Sequence, residues 1–273
     1  MWSARAVDSL PRIVIRQFSD LEELSEAAAS EFCEIARQAI ALRRRCAVVL
    51  TGGSTPRRLY ELLTTERYRH QVEWDLVDFF WADERAVPPD HQDSNYGMAR
   101  DILLEPLAIP RAHIHRIEAE RDDLNSTALA YESEIAHVFR VPPSGPPPAF
   151  DFVLLGMGAD GHTASLFPDM DASGEVRHWV ASHYVPAIAA NRVTMTPRIL
   201  NAARHVLFLV AGADKATALA LVLEGVRDPQ HLPAQMIEPA SGVLMWFVDR
   251  AAAAKLTGGV PVDPLLTSGS TAP

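Results

Sequence analysis

Between Gly156 and Pro168 the sequence reads GMGADGHTASLFP and sets Asp160 and His162 among three glycines, Gly156, Gly158 and Gly161. An imidazole titrates near neutrality, so it can take a proton from water and later return it to a leaving group. A carboxylate two residues away can orient that ring. The run just before it, FDFVLL, is an apolar strand. A buried strand that ends in a glycine-rich turn is where open α/β sheets place their ligands, beyond the carboxyl ends of the strands. Glycine also lets the backbone approach a ligand closely. The plain alternative is a turn carrying a surface Asp and His.

A second turn, Thr51-Gly52-Gly53-Ser54-Thr55, lies between an apolar strand and a helix opened by Pro56. The free N–H groups of a helix start, with two hydroxyls, make an anion site. The spacing is neither a P-loop nor GxGxxG, so a nucleotide is not indicated. An ordinary turn with an N-capping Ser or Thr would look the same. Asp83-Glu84-Arg85 closes a third apolar strand, on the same sheet edge. Arg85 can hold a carboxylate, a phosphate or a carbonyl oxygen, and Asp83 can orient a base or a sugar hydroxyl; a solvated turn is the competing reading. The polar stretch VPPDHQDSN after it is suited to covering a site. Arg192 begins the strand NRVTMT, and Lys215 follows Gly212 in VAGADK at a strand-to-helix transition. Both can neutralise a phosphate, although a single cation is more often a plain surface charge. His113 and His115 share one face of a short extended piece, but no third ligand accompanies them, so no metal is expected.

These groups need a scaffold, and the chain supplies a strand–helix rhythm. Apolar strands are expected at 13–15, 47–50, 76–81, 150–155, 179–185, 192–195, 206–210 and 243–248. Between them Leu21, Leu24, Ala28, Phe32, Ile35, Ala39 and Leu42 recur at helical spacing behind a Ser19/Glu22 capping pair. Further helices are expected at 94–104, 122–139, 197–202, 213–224 and 250–256, with an extended piece at 113–117. The alternation predicts an α/β fold with a doubly wound, mostly parallel sheet flanked by helices. The Pro-rich stretch 142–148 is a stiff connection that does not break the rhythm, so residues 1–256 read as a single domain. Residues 257–273, rich in Gly, Pro, Ser and Thr, read as a disordered tail.

Composition narrows the partners. The 273 residues carry 25 Lys and Arg against 35 Asp and Glu, a net charge of −10. That field argues against non-specific nucleic-acid binding but leaves room for an anionic small molecule in a locally cationic pocket. Cys33 and Cys46 have no CxxC spacing and read as small buried hydrophobes. No signal-peptide core or membrane-length apolar run is present, so a cytoplasmic protein is expected.

Together LTGGSTP (50–56), WADERAVPPDHQDSN (81–95), FDFVLLGMGADGHTASLFP (150–168), RVTMTP (192–197), VAGADK (210–215) and WFVDRAAAAKL (246–256) resemble the 6-phosphogluconolactonase family, in order and over nearly the whole chain. The resemblance implies a Rossmann-like α/β domain of the type shared with glucosamine-6-phosphate deaminase and ribose-5-phosphate isomerase. It implies hydrolysis of 6-phospho-D-glucono-1,5-lactone, a sugar-phosphate lactone of the oxidative pentose phosphate pathway, without a cofactor. In that chemistry His162 is the general base and later acid, oriented by Asp160 or by Asp83 across the crevice. Arg85 and the N–H groups of the 156–161 turn can stabilise an oxyanion. Gly52, Gly53, Ser54, Thr55, Arg192 and Lys215 would hold the phosphate. The sequence leaves open which cation meets phosphate and which meets carbonyl, and leaves the oligomeric state open. Two rivals remain. The related deaminase signature resembles GxDGHIAFNEP, with a carboxylate where this chain has Phe167. A non-catalytic sugar-phosphate sensor on the same fold would not need His162 with its acids.

Overall fold

The computed structural model describes residues 12–143, 145–170 and 177–258. Among them nine strands form two sheets: β1 (Arg12–Phe18), β2 (Cys46–Leu50), β3 (Val77–Trp81), β4 (Asp83–Arg85), β5 (Phe152–Gly156), β6 (Val180–Val185), β7 (Ala190–Met195), β8 (His205–Val210) and β9 (Val243–Asp249). Six of them make a parallel sheet in the order β1-β9-β8-β5-β2-β3. Strands buried on both faces need continuous apolar runs rather than alternation, and CAVVL of β2 and HVLFLV of β8 supply them. The helices α1 (Leu21–Arg43), α2 (Ser54–Leu63), α3 (Asn95–Ala99), α4 (Leu124–Phe139), α5 (Pro197–Leu200) and α6 (Ala216–Glu224) flank the sheets. Phe32 of α1 meets Phe152 of β5 edge-on at 5.5 Å, and Phe208 stacks on Trp246 between neighbouring strands at 3.9 Å. Each such fully buried side chain contributes about 1.5–3 kcal/mol.

The strand order carries the functional consequence. From β2 the chain steps outward to β3, whereas β5, β8 and β9 step the other way towards β1. The direction reverses between β2 and β5, which pair through Val48–Phe152 and Val49–Val153. A crevice opens at such a switch point, outside the carboxyl ends of the two strands. Those ends lead into the 51–55 loop and the 156–161 turn.

Several expectations need correction. Asp83-Glu84-Arg85 does not extend β3. It is a separate strand that pairs antiparallel with β7, and β7 pairs antiparallel with β6, giving a second sheet in the order β4-β7-β6. Short polar strands give little apolar signal, so this sheet was not expected as a unit. Helix α1 is capped one residue later than the Ser19/Glu22 reading: Asp20 accepts from the Glu23 amide at 3.0 Å, and Glu23 accepts from the Ser19 amide at 2.7 Å. The expected 94–104 helix changes at Arg100–Leu104 into a π-helical turn. The piece expected to be extended at 113–117 begins instead as a 3-10 turn, Arg111–His113, with Ile114 bridging to Phe79. The expected 250–256 helix is a 3-10 turn, Ala252–Lys255. Thr257, placed in the tail, is held by Glu224 through its amide at 3.0 Å and its hydroxyl at 2.9 Å; residues 259–273 lie outside the described residues.

Candidate active site

The turn after β5 is built around His162. Thr163 donates its hydroxyl to the Gly156 carbonyl at 2.8 Å, and Gly158 N–H donates to the His162 carbonyl at 2.8 Å. Asp160 Oδ1 accepts from the His162 amide at 3.1 Å and from its ring Nδ1 at 2.6 Å. An ionised carboxylate only accepts, so Nδ1 carries the hydrogen and Nε2 of the neutral ring is the basic nitrogen. The hydrogen bond from His162, working against burial, draws the Asp160 carboxyl down to about 2. Phe167 stacks on the imidazole with ring centroids 4.3 Å apart and planes at 25°. On the backbone side a methyl group at Gly158 would collide with Nδ1 and Cε1 of His162. The ring is therefore held between Gly158 and Phe167 and tied at Nδ1, with its side chain 30 % exposed.

Across the switch point, α2 begins directly after Gly53, and no side chain caps it. The N-capping Ser or Thr of the plainer reading is not what forms. The N–H groups at this helix start remain available to an anion. Tyr60 fixes the loop by donating to the Thr51 carbonyl at 2.8 Å and accepting from its amide at 3.1 Å. A side chain at Gly52 would occupy the place of the Asn95 carboxamide, so only glycine lets Asn95 approach.

The small sheet lines the third side. In its register Arg85 is opposite Arg192, Arg192 is opposite His183, and Asp83 is opposite Thr194. Directly opposed residues share a face, so two guanidiniums and an imidazole stand in one row. Burial lowers the pKa of Arg192, and the charge of Arg85 adds to the effect. Arg85 donates to the Asp93 carbonyl at 2.5 Å, which folds the polar 86–94 loop back over it.

Asp83 is buried and fully engaged. It accepts from the Ser165 hydroxyl at 2.7 Å and from Asn95 Nδ2 at 3.3 Å. Of the two carboxylates considered for orienting His162, Asp160 is the one bonded to the ring. Glu84, passed over in the sequence, is buried and accepts from the amides of Arg85, Asn95 and Tyr96 at 2.8 Å each and from the Ser94 hydroxyl at 3.1 Å. Burial pushes its carboxyl up against those donors. Lys215 lies in a 3-10 turn after β8, the strand next to β5, with Nζ 3.1 Å from Asp214. Asp249 fixes that turn by accepting from the Gly212 amide at 3.0 Å.

Asn95, Ser165, Thr194 and His183 are the residues that sequence reasoning missed here. Asn95, Ser165 and Thr194 sit in motifs already singled out, but their partners are distant in the chain and no local pattern marks their contacts; His183 lies outside those motifs. His113 and His115 both face Asp78, at 2.8 and 3.6 Å, and His115 also meets Glu134 at 2.7 Å. Among the described residues no three metal-binding side chains are grouped to hold an ion. A separate cavity of about 850 Å³ lies between the π-helical turn and α4, lined in part by His115 and Glu134 and by none of residues 51–55, 83–85 or 156–162. No helix of the described residues is long and apolar enough to cross a membrane.

A parallel sheet whose switch point is flanked by an open helix start and an Asp–His pair defines an α/β protein of the open-sheet, crevice-binding class. The chain belongs to the glucosamine-6-phosphate isomerase/6-phosphogluconolactonase family, whose model matches residues 19–246. It is 42 % identical over 221 residues to the 6-phosphogluconolactonase of Synechocystis sp., covering 80 % of this chain and 88 % of that one. It is 38 % identical over 247 residues to the 6-phosphogluconolactonase of Mycobacterium bovis, covering 89 % and 98 %. Among solved structures it resembles 6-phosphogluconolactonase from Trypanosoma cruzi, with a TM-score of 0.78 at 30 % identity over 93 % of this chain and all of that one. A monomeric glucosamine-6-phosphate deaminase, at 20 % identity and a TM-score of 0.74, shares the fold.

Proposed function

We propose that this chain hydrolyses 6-phospho-D-glucono-1,5-lactone to 6-phospho-D-gluconate, the second step of the oxidative pentose phosphate pathway. The observation that carries the reading is the imidazole of His162, tied at Nδ1 to Asp160 at 2.6 Å beside the switch point, with Nε2 left as the base. In the reaction Nε2 takes a proton from a water as its oxygen attacks the lactone carbonyl carbon. The carbonyl oxygen becomes an oxyanion, which the N–H groups of the 156–161 turn can receive. Collapse of the intermediate breaks the bond to the ring oxygen, and the imidazolium returns its proton to that oxygen. Asp160 stays ionised throughout and stabilises the imidazolium.

The phosphate is a dianion and needs concentrated positive charge. Like charges directly opposite across strands repel, so Arg85 and Arg192 together favour an anion between them. The open start of α2 at residues 52–55 and Lys215 complete the positive surroundings. Holding the phosphate positions the lactone carbonyl for attack. Phe167 supports hydrolysis over deamination. It lies against His162 at the position where the related deaminase signature carries a carboxylate, and a phenyl group exchanges no proton.

The test is lactone hydrolysis by purified protein with freshly generated substrate, after subtraction of spontaneous opening. His162→Ala is expected to fold normally and to lose about 10²–10⁴-fold in turnover. A wild-type protein that leaves the spontaneous rate unchanged sinks the activity. A folded His162→Ala protein with wild-type turnover sinks the role of the base.

A further inference from the structure

We infer that His183 is a positioning residue for this reaction, holding the turn that carries His162 through a hydrogen bond to the Ser165 carbonyl. The inference rests on the role of His162 proposed above. His183 lies on β6, in an otherwise unremarked stretch of sequence, and its Nε2 is 2.7 Å from the Ser165 carbonyl oxygen. A carbonyl only accepts, so Nε2 carries the hydrogen and donates it. Burial, reinforced by the charge of Arg192, lowers the pKa of this imidazole, which fits a neutral ring with one committed donor.

Ser165 ties the turn that follows β5 to the small sheet. Its amide donates to Thr194 Oγ1 at 3.2 Å, its hydroxyl donates to Asp83 at 2.7 Å, and its carbonyl receives His183. All three partners belong to the small sheet, on the face that also presents Arg85 and Arg192. On the other side the turn is anchored to the large sheet by Thr163 on Gly156, and Thr163 and Leu166 pair across it. His162 sits at the start of this turn. Thr194 and Asp83 fix the amide and hydroxyl of Ser165, and His183 alone among the described residues is bonded to its carbonyl. Loss of that donor leaves a buried carbonyl without a partner, and such a group rearranges or reaches for water. The movement passes along three residues to the imidazole. A displacement on the order of 1 Å at the reacting group costs about 10²-fold in rate.

The test compares His183→Phe, which removes the donor, with His183→Gln, whose amide N–H can reach the same oxygen. Steady-state kinetics on the phosphorylated lactone and thermal melts are measured for both, alone and in the His162→Ala background. The expected result is a turnover lower by about 10-fold to 10²-fold in His183→Phe with KM nearly unchanged. His183→Gln is expected to restore most of that loss. In the His162→Ala background His183→Phe is expected to cost nothing further, because it acts through the residue already removed. If His183→Phe does not fold, His183→Asn, whose shorter amide falls short of Ser165, replaces it. Turnover unchanged in the donor-less variant overturns the inference. So does equal impairment of the Phe and Gln variants, or a rise in KM alone, or full additivity with His162→Ala. Failure of the base assignment reads differently, as a His162→Ala protein that still turns over.

Discussion

Gly158→Ala tests the packing of the His162 ring, proposed above as the base, by adding a single methyl group. Gly158 does not have the positive φ that makes glycine obligatory, so alanine is tolerated by the backbone. The difficulty is space: the new methyl would fall on Nδ1 and Cε1 of His162 and within 2.5 Å of Asp160 Oδ1. The imidazole cannot retreat, because Phe167 stacks on it with centroids 4.3 Å apart. It must swing out of the slot, and the 2.6 Å bond to Asp160 must break. Ordinary contact requires roughly 3.5 Å between carbon atoms, so the ring moves by about 1 Å or more. A misplacement of that size costs on the order of 10²-fold in rate, or about 2.7 kcal/mol of transition-state stabilisation. Overpacking lowers stability by about 1–3 kcal/mol. Gly156→Ala is the built-in control: a methyl there meets nothing within 4 Å. The assay is background-corrected lactone hydrolysis beside a thermal melt for each variant. A folded Gly158→Ala protein with turnover within about threefold of wild type would refute the idea that the slot fixes the base.

Three further outcomes are expected. The Asp160 carboxyl has a folded pKa lowered to about 2, against about 3.9 for a free Asp. Its stabilising contribution is full above the unfolded value and disappears as pH falls through the folded one. Denaturant titrations of wild type and Asp160→Asn should therefore converge between about pH 4 and pH 2; a gap that widens on acidification contradicts the assignment. Arg192→Ala and Lys215→Ala should weaken use of the phosphorylated lactone far more than use of gluconolactone, each by about 1.5–3 kcal/mol in kcat/KM; equal losses on both substrates mean that these residues do not read the phosphate. Purified protein should release no ammonia from glucosamine 6-phosphate, and ammonia above a boiled control with lactone loss at the spontaneous rate would reverse the reading.

The parallel sheet was legible because burial on both faces demands unbroken apolar runs, and β2, β5, β8 and β9 have them. The two glycine-rich loops were legible because their residue types suit little else, and the strand order puts both at one crevice. The β4-β7-β6 sheet was not, because Asp83-Glu84-Arg85 is short and polar and its pairing partner lies more than a hundred residues away. The shift of the α1 cap from Ser19 to Asp20 is a one-residue difference that Ser and Asp, both good capping residues, do not resolve from sequence. The buried acid Glu84 looked like part of a solvated turn until its four donors came from Ser94, Arg85, Asn95 and Tyr96. Cys33 and Cys46 are buried as expected, and burial pushes the Cys33 thiol up to about 12, far from reactivity.

His162, proposed as the base, stands on a loop of the parallel sheet, and Arg85 and Arg192 stand on the small sheet; Ser165 bonds that loop to the small sheet through Asp83, Thr194 and His183. Such a joint works as a caliper. Its jaws are the imidazole and the guanidinium pair: the backbone joins the two sheets at Ala82, and the bonds at Ser165 set where the imidazole stands relative to the small sheet. A lactone whose phosphate is one carbon nearer to its carbonyl spans the jaws incorrectly, even though every functional group is present. On the proposed roles, discrimination by length should appear in turnover more than in binding, because the anion would still find Arg85 and Arg192 while the carbonyl would miss His162.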